Sequence, residues 1–248
     1  MTKVLFIGES WFTYSVHQKG FDVFHTAEYV EGGTNFIRTL EQNNMKVDYV
    51  PAHKIESDVP STAAALQKYD TIIISDVGAN SFLLGRKTFN QSEIVPNKLQ
   101  AIKEYVDGGG SLLMVGGYMS FTGIDAKSRY AESPLKDCLP VVMLPHDDRV
   151  EIPEGIVPVK TQKHPITNDL SEEWPRLLGY NKFSAKESGE TLASVGQDPL
   201  LVIGTCGKGR TAAFASDLAP HWAPPEFVDW NQYPKLWTEL IQWLAGKN

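Results

Sequence analysis

Cysteine is scarce in this chain of 248 residues: only Cys138 and Cys206 occur, far apart in sequence. They make neither a disulfide framework nor a metal-type spacing, and both read as plain structural thiols. Long apolar runs are missing too. No segment suffices to span a bilayer as a helix, and no cleavable apolar leader precedes the first strand-like run. The cytoplasm is therefore expected, with no membrane partner. Positive charge is not in surplus either: Lys and Arg total 23 against 30 Asp and Glu, a formal charge of −7. A nucleic-acid surface needs clustered basic residues, so no nucleic acid is expected. Neither HxxxH nor HExxH occurs, and neither a metal nor a cofactor is expected. With no internal repeat or low-complexity linker, one domain over residues 1–248 is the expectation. A small polar molecule remains as partner, and a homo-oligomer is left open.

What is present is an alternation of short apolar runs with helix-like segments, the pattern of a parallel sheet covered by helices. Lys3–Gly8, Lys46–Val50, Thr71–Ser75 and Ser111–Val115 read as strands. Helical spacing appears in about 33–43 (Phe36, Ile37, Leu40), 61–67 and 97–107 (Leu99, Ile102, Tyr105, Val106). Gly108-Gly109-Gly110 ends the third of these, since glycine adopts left-handed conformations readily. Residues 139–184 read as an irregular insertion or rim with several prolines and short strand candidates. Thr191–Val195, Leu200–Gly204 and Arg210–Ser216 follow as strands, the last two suited to an antiparallel hairpin. Tyr233, Leu236, Trp237, Leu240, Ile241 and Leu244 then make the apolar stripe of a closing amphipathic helix, read as core packing.

In an open parallel sheet, ligands bind beyond the carboxyl ends of the strands. Those positions here hold Glu9, Ser10 and Trp11 after the first strand, and Asp76, Gly78 and Asn80 after the third. Gly117, Tyr118, Met119 and Ser120 follow the fourth, and Asp217, His221 and Trp222 follow the strand ending at Ser216. Asp, Asn and Ser at strand ends also serve as helix caps. The two tryptophans and the histidine favour a pocket over capping alone. His221, in the proline-stiffened Ala-Pro-His-Trp-Ala-Pro-Pro, suits either proton transfer or simple packing against Trp222. His17 and His25 fall in the long first connection. Asp147-Asp148-Arg149 could bind a polyol or an ammonium group, but a surface turn with an internal ion pair is the preferred reading.

The run Leu113-Met-Val-Gly116-Gly117-Tyr118-Met119-Ser120 has the layout of a nucleophile elbow. In such an elbow a strand turns sharply into a helix, lifting one side chain while backbone N–H groups receive an oxyanion. Its order resembles class I glutamine amidotransferases, where the elbow reads Gly-x-Cys-x-Gly. On that pattern Gly116 matches the first glycine, Tyr118 falls on the cysteine and Ser120 on the last glycine. The family's strand ending in His-Pro-Glu has its counterpart in Ala-Ser-Asp217-Leu-Ala-Pro-His221, where the histidine arrives several residues late.

The whole chain is closer to an uncharacterised branch of glutamine amidotransferase-like proteins. The resemblance rests on Gly-Glu-Ser-Trp (8–11), Ser-Asp-x-Gly-Ala-Asn (75–80) and Gly-Gly-Tyr-x-Ser-Phe (116–121). Asp-Asp-Arg-x-Glu (147–151), Leu-Leu-Gly-Tyr-Asn (177–181) and Ser-Asp-x-x-Pro-His-Trp (216–222) complete it. It implies an α/β, flavodoxin-like three-layer sandwich with a mostly parallel sheet and antiparallel strands near the C-terminus. No activity comes with it, because a fold does not dictate a reaction.

Two readings of function follow. In one, Tyr118, Ser120 and His221 act catalytically on a small polar, carbohydrate-like molecule. Glu9, Ser10, Trp11, Asp76, Asn80, Gly117, Met119, Asp217 and Trp222 bind it, in a hydrolase- or transferase-type reaction without a cysteine nucleophile. In the other, the cysteine's loss leaves a non-catalytic ligand-binding or assembly module. Under both, glutaminase activity is not expected, because Tyr118 stands where the cysteine would.

Overall fold

The computed structural model describes residues 1–247. Its central sheet begins with β1 (Thr2–Gly8), which lies between β4 (Met45–Val50) and β5 (Thr71–Ser75), all parallel. Next to β5 comes β6 (Ser111–Val115), then β14 (Gly209–Phe214), again parallel. The far side is antiparallel: β13 (Asp198–Cys206), β12 (Glu190–Val195) and β9 (Pro158–Lys160). The fold is thus α/β with a mostly parallel sheet and antiparallel strands toward the C-terminus, as the family resemblance implies.

The parallel strands stand where their residues dictate. Every residue of β5 and β6 is buried, because helices cover both faces and leave no polar side. The strand order reverses between β1 and β5: the chain moves from β1 outward to β4, then returns past β1 to β5. That reversal opens a crevice at the carboxyl ends, the place where such sheets bind ligands.

The helices Thr34–Gln42, Lys98–Asp107 and Tyr233–Leu244 lie within a residue of their expected bounds. Asn97 caps the second, its side chain accepting from Leu99 and Gln100 at 3.0 and 3.2 Å, a contact worth about 1 kcal/mol. In the last, Trp237 is fully buried with its ring edge-on to Phe36 and Phe214 at 5.2 and 5.0 Å. That contact ties the chain's end to its first helix and to β14.

The structure fills in two segments and corrects one expectation. The long first connection is a hairpin of β2 (Ser10–Lys19) and β3 (Asp22–Glu31), joined in unbroken register and paired with no other strand. Its residues are mostly exposed, so no core burial announced it in sequence. The rim at 139–184 holds the short strands that its sequence offered as candidates. It carries β7 (Val141–Met143), β8 (Arg149–Ile156), β10 (Leu177–Asn181) and β11 (Phe183–Ala185) besides β9. β10 pairs with β8, and β11 with β7, both antiparallel. Against expectation, no helix follows β6: the chain passes through turns and bends from 116 to 123. The elbow therefore lacks a helix N-terminus.

Candidate functional site

The chain leaves β1 abruptly. Gly8 has φ +101° and a Cβ there would lie 2.0 Å from the Ser75 carbonyl oxygen, so only glycine fits. Glu9 then takes φ +49°, and Asp76, just past the neighbouring β5, takes φ +42°. Two acidic residues thus sit side by side at the carboxyl ends in a backbone region uncommon for non-glycine residues, a strain often found at functional sites.

Across the crevice the elbow loop is pinned by side chains. The Asp76 carboxylate accepts the Met119 N–H at 2.7 Å, and Asn181 Oδ1 accepts the Gly117 N–H at 3.0 Å. Asn181 Nδ2 donates to Asp148 at 2.8 Å, and Asp148 accepts the Thr122 and Gly123 N–H groups at 2.8 and 2.9 Å. The paired glycines follow from this crowding. A Cβ on Gly116 would meet the Ala215 carbonyl oxygen at 2.2 Å, and one on Gly117 the Asp76 carboxylate at 2.6 Å.

Beyond β14, Asp217 is 2% exposed and accepts from both His221 Nδ1 at 2.7 Å and the Trp222 N–H at 3.0 Å. His221 also stacks on Trp222 and meets the Tyr118 ring edge-on at 4.3 Å. The packing against Trp222 weighed in the sequence is thus present, and the same imidazole borders a cavity. Its Nε2 has no hydrogen-bond partner among the described residues.

These segments enclose a cavity of about 360 Å³ lined by Glu9, Trp11, Asp76, Tyr118, Asp217, Pro220 and His221. Its carboxylates perturb one another. Burial first, then Asp217 and Asp76, hold the Glu9 pKa well above its ordinary value. Asp76 is raised to about 6 by burial and then by Asp217, and burial also raises Asp217. Burial alone would lower His221, but the Asp217 hydrogen bond and charge raise it overall. The Tyr118 hydroxyl is raised by burial and then by Glu151, with Arg149 opposing. Arg149 also lies over the Tyr118 ring at 4.8 Å.

Of the residues expected at the site, Glu9, Trp11, Asp76, Tyr118, Asp217 and His221 come together. Trp222 stands behind them, fully packed, its Nε1 donating to Glu151 at 2.9 Å. Gly117 and Met119 do not line the cavity: the Gly117 N–H is held by Asn181, and the Met119 N–H by Asp76. Ser120 does not reach it: buried, its hydroxyl donates to the Val115 carbonyl at 2.5 Å and accepts the Asp76 N–H at 3.1 Å. Ser10 is likewise buried, accepting the Ala52 N–H at 2.8 Å. Asn80 is exposed at the start of the short helix Asn80–Leu83, outside the lining.

Asp147 pairs with Arg149 as expected, but the surface-turn reading fails for Asp148, which is 1% exposed and holds the elbow. Sequence reasoning weighed ligand binding for Asp148 and Arg149 but preferred the surface turn, and it gave no site role to Glu151 or Asn181. Their signal lay in the 147–151 and 177–181 motifs, which serve as a buttress. No cluster of three metal-ligating side chains occurs among the described residues. Both cysteines lie away from the cavity, next to one another and to Asp107, with burial raising both thiols.

A family model described as "putative glutamine amidotransferase" matches residues 3–246. A solved structure of a cytoplasmic protein from Salmonella typhimurium LT2 is 49% identical, with 98% of this chain and 99% of that one covered and a TM-score of 0.95. A second cytoplasmic protein from Salmonella typhimurium is 45% identical, with 97% and 98% covered and a TM-score of 0.95. The cold-adapted β-galactosidase of Rahnella shares the fold alone, at 16% identity and TM-score 0.55, over 84% of this chain and 26% of that one. Comparison with curated proteins gives no match.

Proposed function

The chain belongs to the glutamine amidotransferase-like family, and from that premise we propose that its crevice binds and acts on a small polar, hydroxyl-bearing molecule by acid–base chemistry, not by glutamine hydrolysis. One observation carries this: the Asp217–His221 pair, 2.7 Å apart, faces the cavity shared with Glu9, Asp76 and Tyr118. Asp217 fixes Nδ1 of the imidazole, leaving Nε2 to exchange a proton with a bound hydroxyl. Tyr118 serves as a neutral hydrogen-bond donor, and its raised pKa keeps the proton in place. Trp11 supplies an apolar face for stacking.

Glutaminase chemistry is disfavoured on two counts. No cysteine stands at the elbow, and the Gly117 and Met119 N–H groups already donate to Asn181 and Asp76. A cytoplasmic location belongs to the same proposal, since both similar Salmonella proteins are described as cytoplasmic. No helix among the described residues is long and apolar enough to cross a membrane.

Self-association completes the reading, with a second copy seated on the hairpin. Register places Phe12, Tyr14, Val16, Val23 and Tyr29 on one face, exposed by 49, 76, 67, 53 and 37%. Neither Lys nor Arg joins them there. That face amounts to on the order of 500 Å² of apolar surface, more than half of one side of a standard interface. A lone two-stranded hairpin is marginal in water, so a covering partner would stabilise it.

The direct test is a thermal-shift screen of sugars, polyols and amino acids on wild type, Tyr118→Phe and His221→Ala. A specific hit lost in either variant is expected. Binding without turnover in wild type would make the protein a recognition module, and hits unaffected by both variants would overturn the site.

A further inference from the structure

We propose that the ligand of this crevice carries a small ammonium group, as an amino sugar or amino alcohol does, held by the carboxylates of Glu9, Asp76 and Asp217 beside the Trp11 and Tyr118 rings. The inference rests on the crevice being a ligand site and narrows that reading to a charge class.

Three strand ends supply three carboxylates to one cavity, and neither Lys nor Arg lines it. Acceptor capacity is left over in buried groups. Glu9, 3% exposed, accepts the Ser75 hydroxyl on Oε2 at 2.5 Å and receives nothing on Oε1 among the described residues. Asp217, 2% exposed, directs both of its hydrogen bonds to Oδ2, leaving Oδ1 without a partner among the described residues. Asp76 likewise receives only on Oδ1 among the described residues. An ammonium group has three donors and no acceptor, the complement of three such oxygens.

The nearest arginine does not neutralise the cluster. Arg149 is held by Asp147 through Nε at 3.0 Å and Nη2 at 2.8 Å, and lies over Tyr118. Of the other charged groups around the cavity, His221 is bound to Asp217, and Glu151 accepts from Trp222. The rings add a second attraction, because a cation is drawn to aromatic faces.

Without a bound cation, burial and the nearby Asp217 charge make Glu9 and Asp76 hold protons more readily than free carboxyl groups do. A bound ammonium reverses this, so binding expels protons and tightens as pH rises through about 6, the value for Asp76. A neutral sugar gains nothing from that ionisation.

The test follows the Trp11 indole resonance by NMR during titration with methylammonium chloride, with sodium chloride as control. Glucosamine is then compared with glucose by calorimetry at pH 5 and pH 7. Methylammonium is expected to shift Trp11 in wild type but not in Glu9→Gln or Asp76→Asn, two variants checked for folding by thermal melt. Glucosamine is expected to bind at least about tenfold tighter than glucose, the gap widening at higher pH. If glucose shifts Trp11 and methylammonium does not, the crevice is a ligand site and the ammonium inference falls. If neither amine nor sugar acts on it, both readings fall together.

Discussion

The Asp76 carboxylate and the Met119 backbone N–H are joined at 2.7 Å. In a nucleophile elbow the N–H that follows the nucleophile serves the oxyanion, and here that position is taken by the protein's own carboxylate. Restoring a thiol is therefore not enough: Tyr118→Cys is expected to fold yet release no ammonia from glutamine above the wild-type background. Ammonia release measured on the purified variant checks this.

Asp76 ties stability to pH. Its folded pKa, about 6, lies above the ordinary 3.8, so the folded state binds the proton more tightly than the unfolded chain. Stability falls as pH rises from about 4 to about 6, and the loss is complete above that. Asp76→Asn removes this dependence and retains an oxygen to accept from Met119. Urea unfolding is expected to favour the variant by about 1–3 kcal/mol more at pH 7 than at pH 4.

His221 is expected to titrate above its ordinary 6.5. Asp217→Asn removes the hydrogen-bonded charge that outweighs burial, and the histidine then titrates lower. NMR of the imidazole protons across pH 5–8 reads both values.

The buttress is expected to be costly to break. Asn181→Ala strands the Gly117 N–H and removes a donor from Asp148, at about 1–3 kcal/mol for each buried group. Gly117→Ala is strained twice, by φ +140° and by the approach of Asp76, and should cost a comparable about 1–3 kcal/mol. Chemical denaturation measures both.

Tyr14→Glu places a charge at the centre of the exposed hairpin face. Light scattering after size exclusion is expected to show wild type as an oligomer and the variant as a monomer. A monomeric wild type would contradict the hairpin interface.

Much of the frame was legible in sequence because β5 and β6 are buried on both sides and so read as unbroken apolar runs. The β2–β3 hairpin was not. Its alternation of Trp11, Phe12, Thr13 and Tyr14 serves no core in one copy of the chain, and periodicity reports burial rather than pairing. Strand-end logic found the segments that reach the crevice but not which side chains enter it. Asn80 and Glu9 looked equivalent in sequence, yet one faces solvent and the other is 3% exposed. Asp147 and Asp148 also looked alike. Only the folded loop, offering the Thr122 and Gly123 N–H groups to one of them, separates the half-buried charge from the fully buried one.

The central claim is that an amidotransferase-like fold now carries a carboxylate–histidine crevice in place of a cysteine glutaminase. Ammonia release from glutamine by the purified wild-type protein tests it most directly. The account predicts a rate indistinguishable from that of heat-denatured protein; sustained turnover would contradict it.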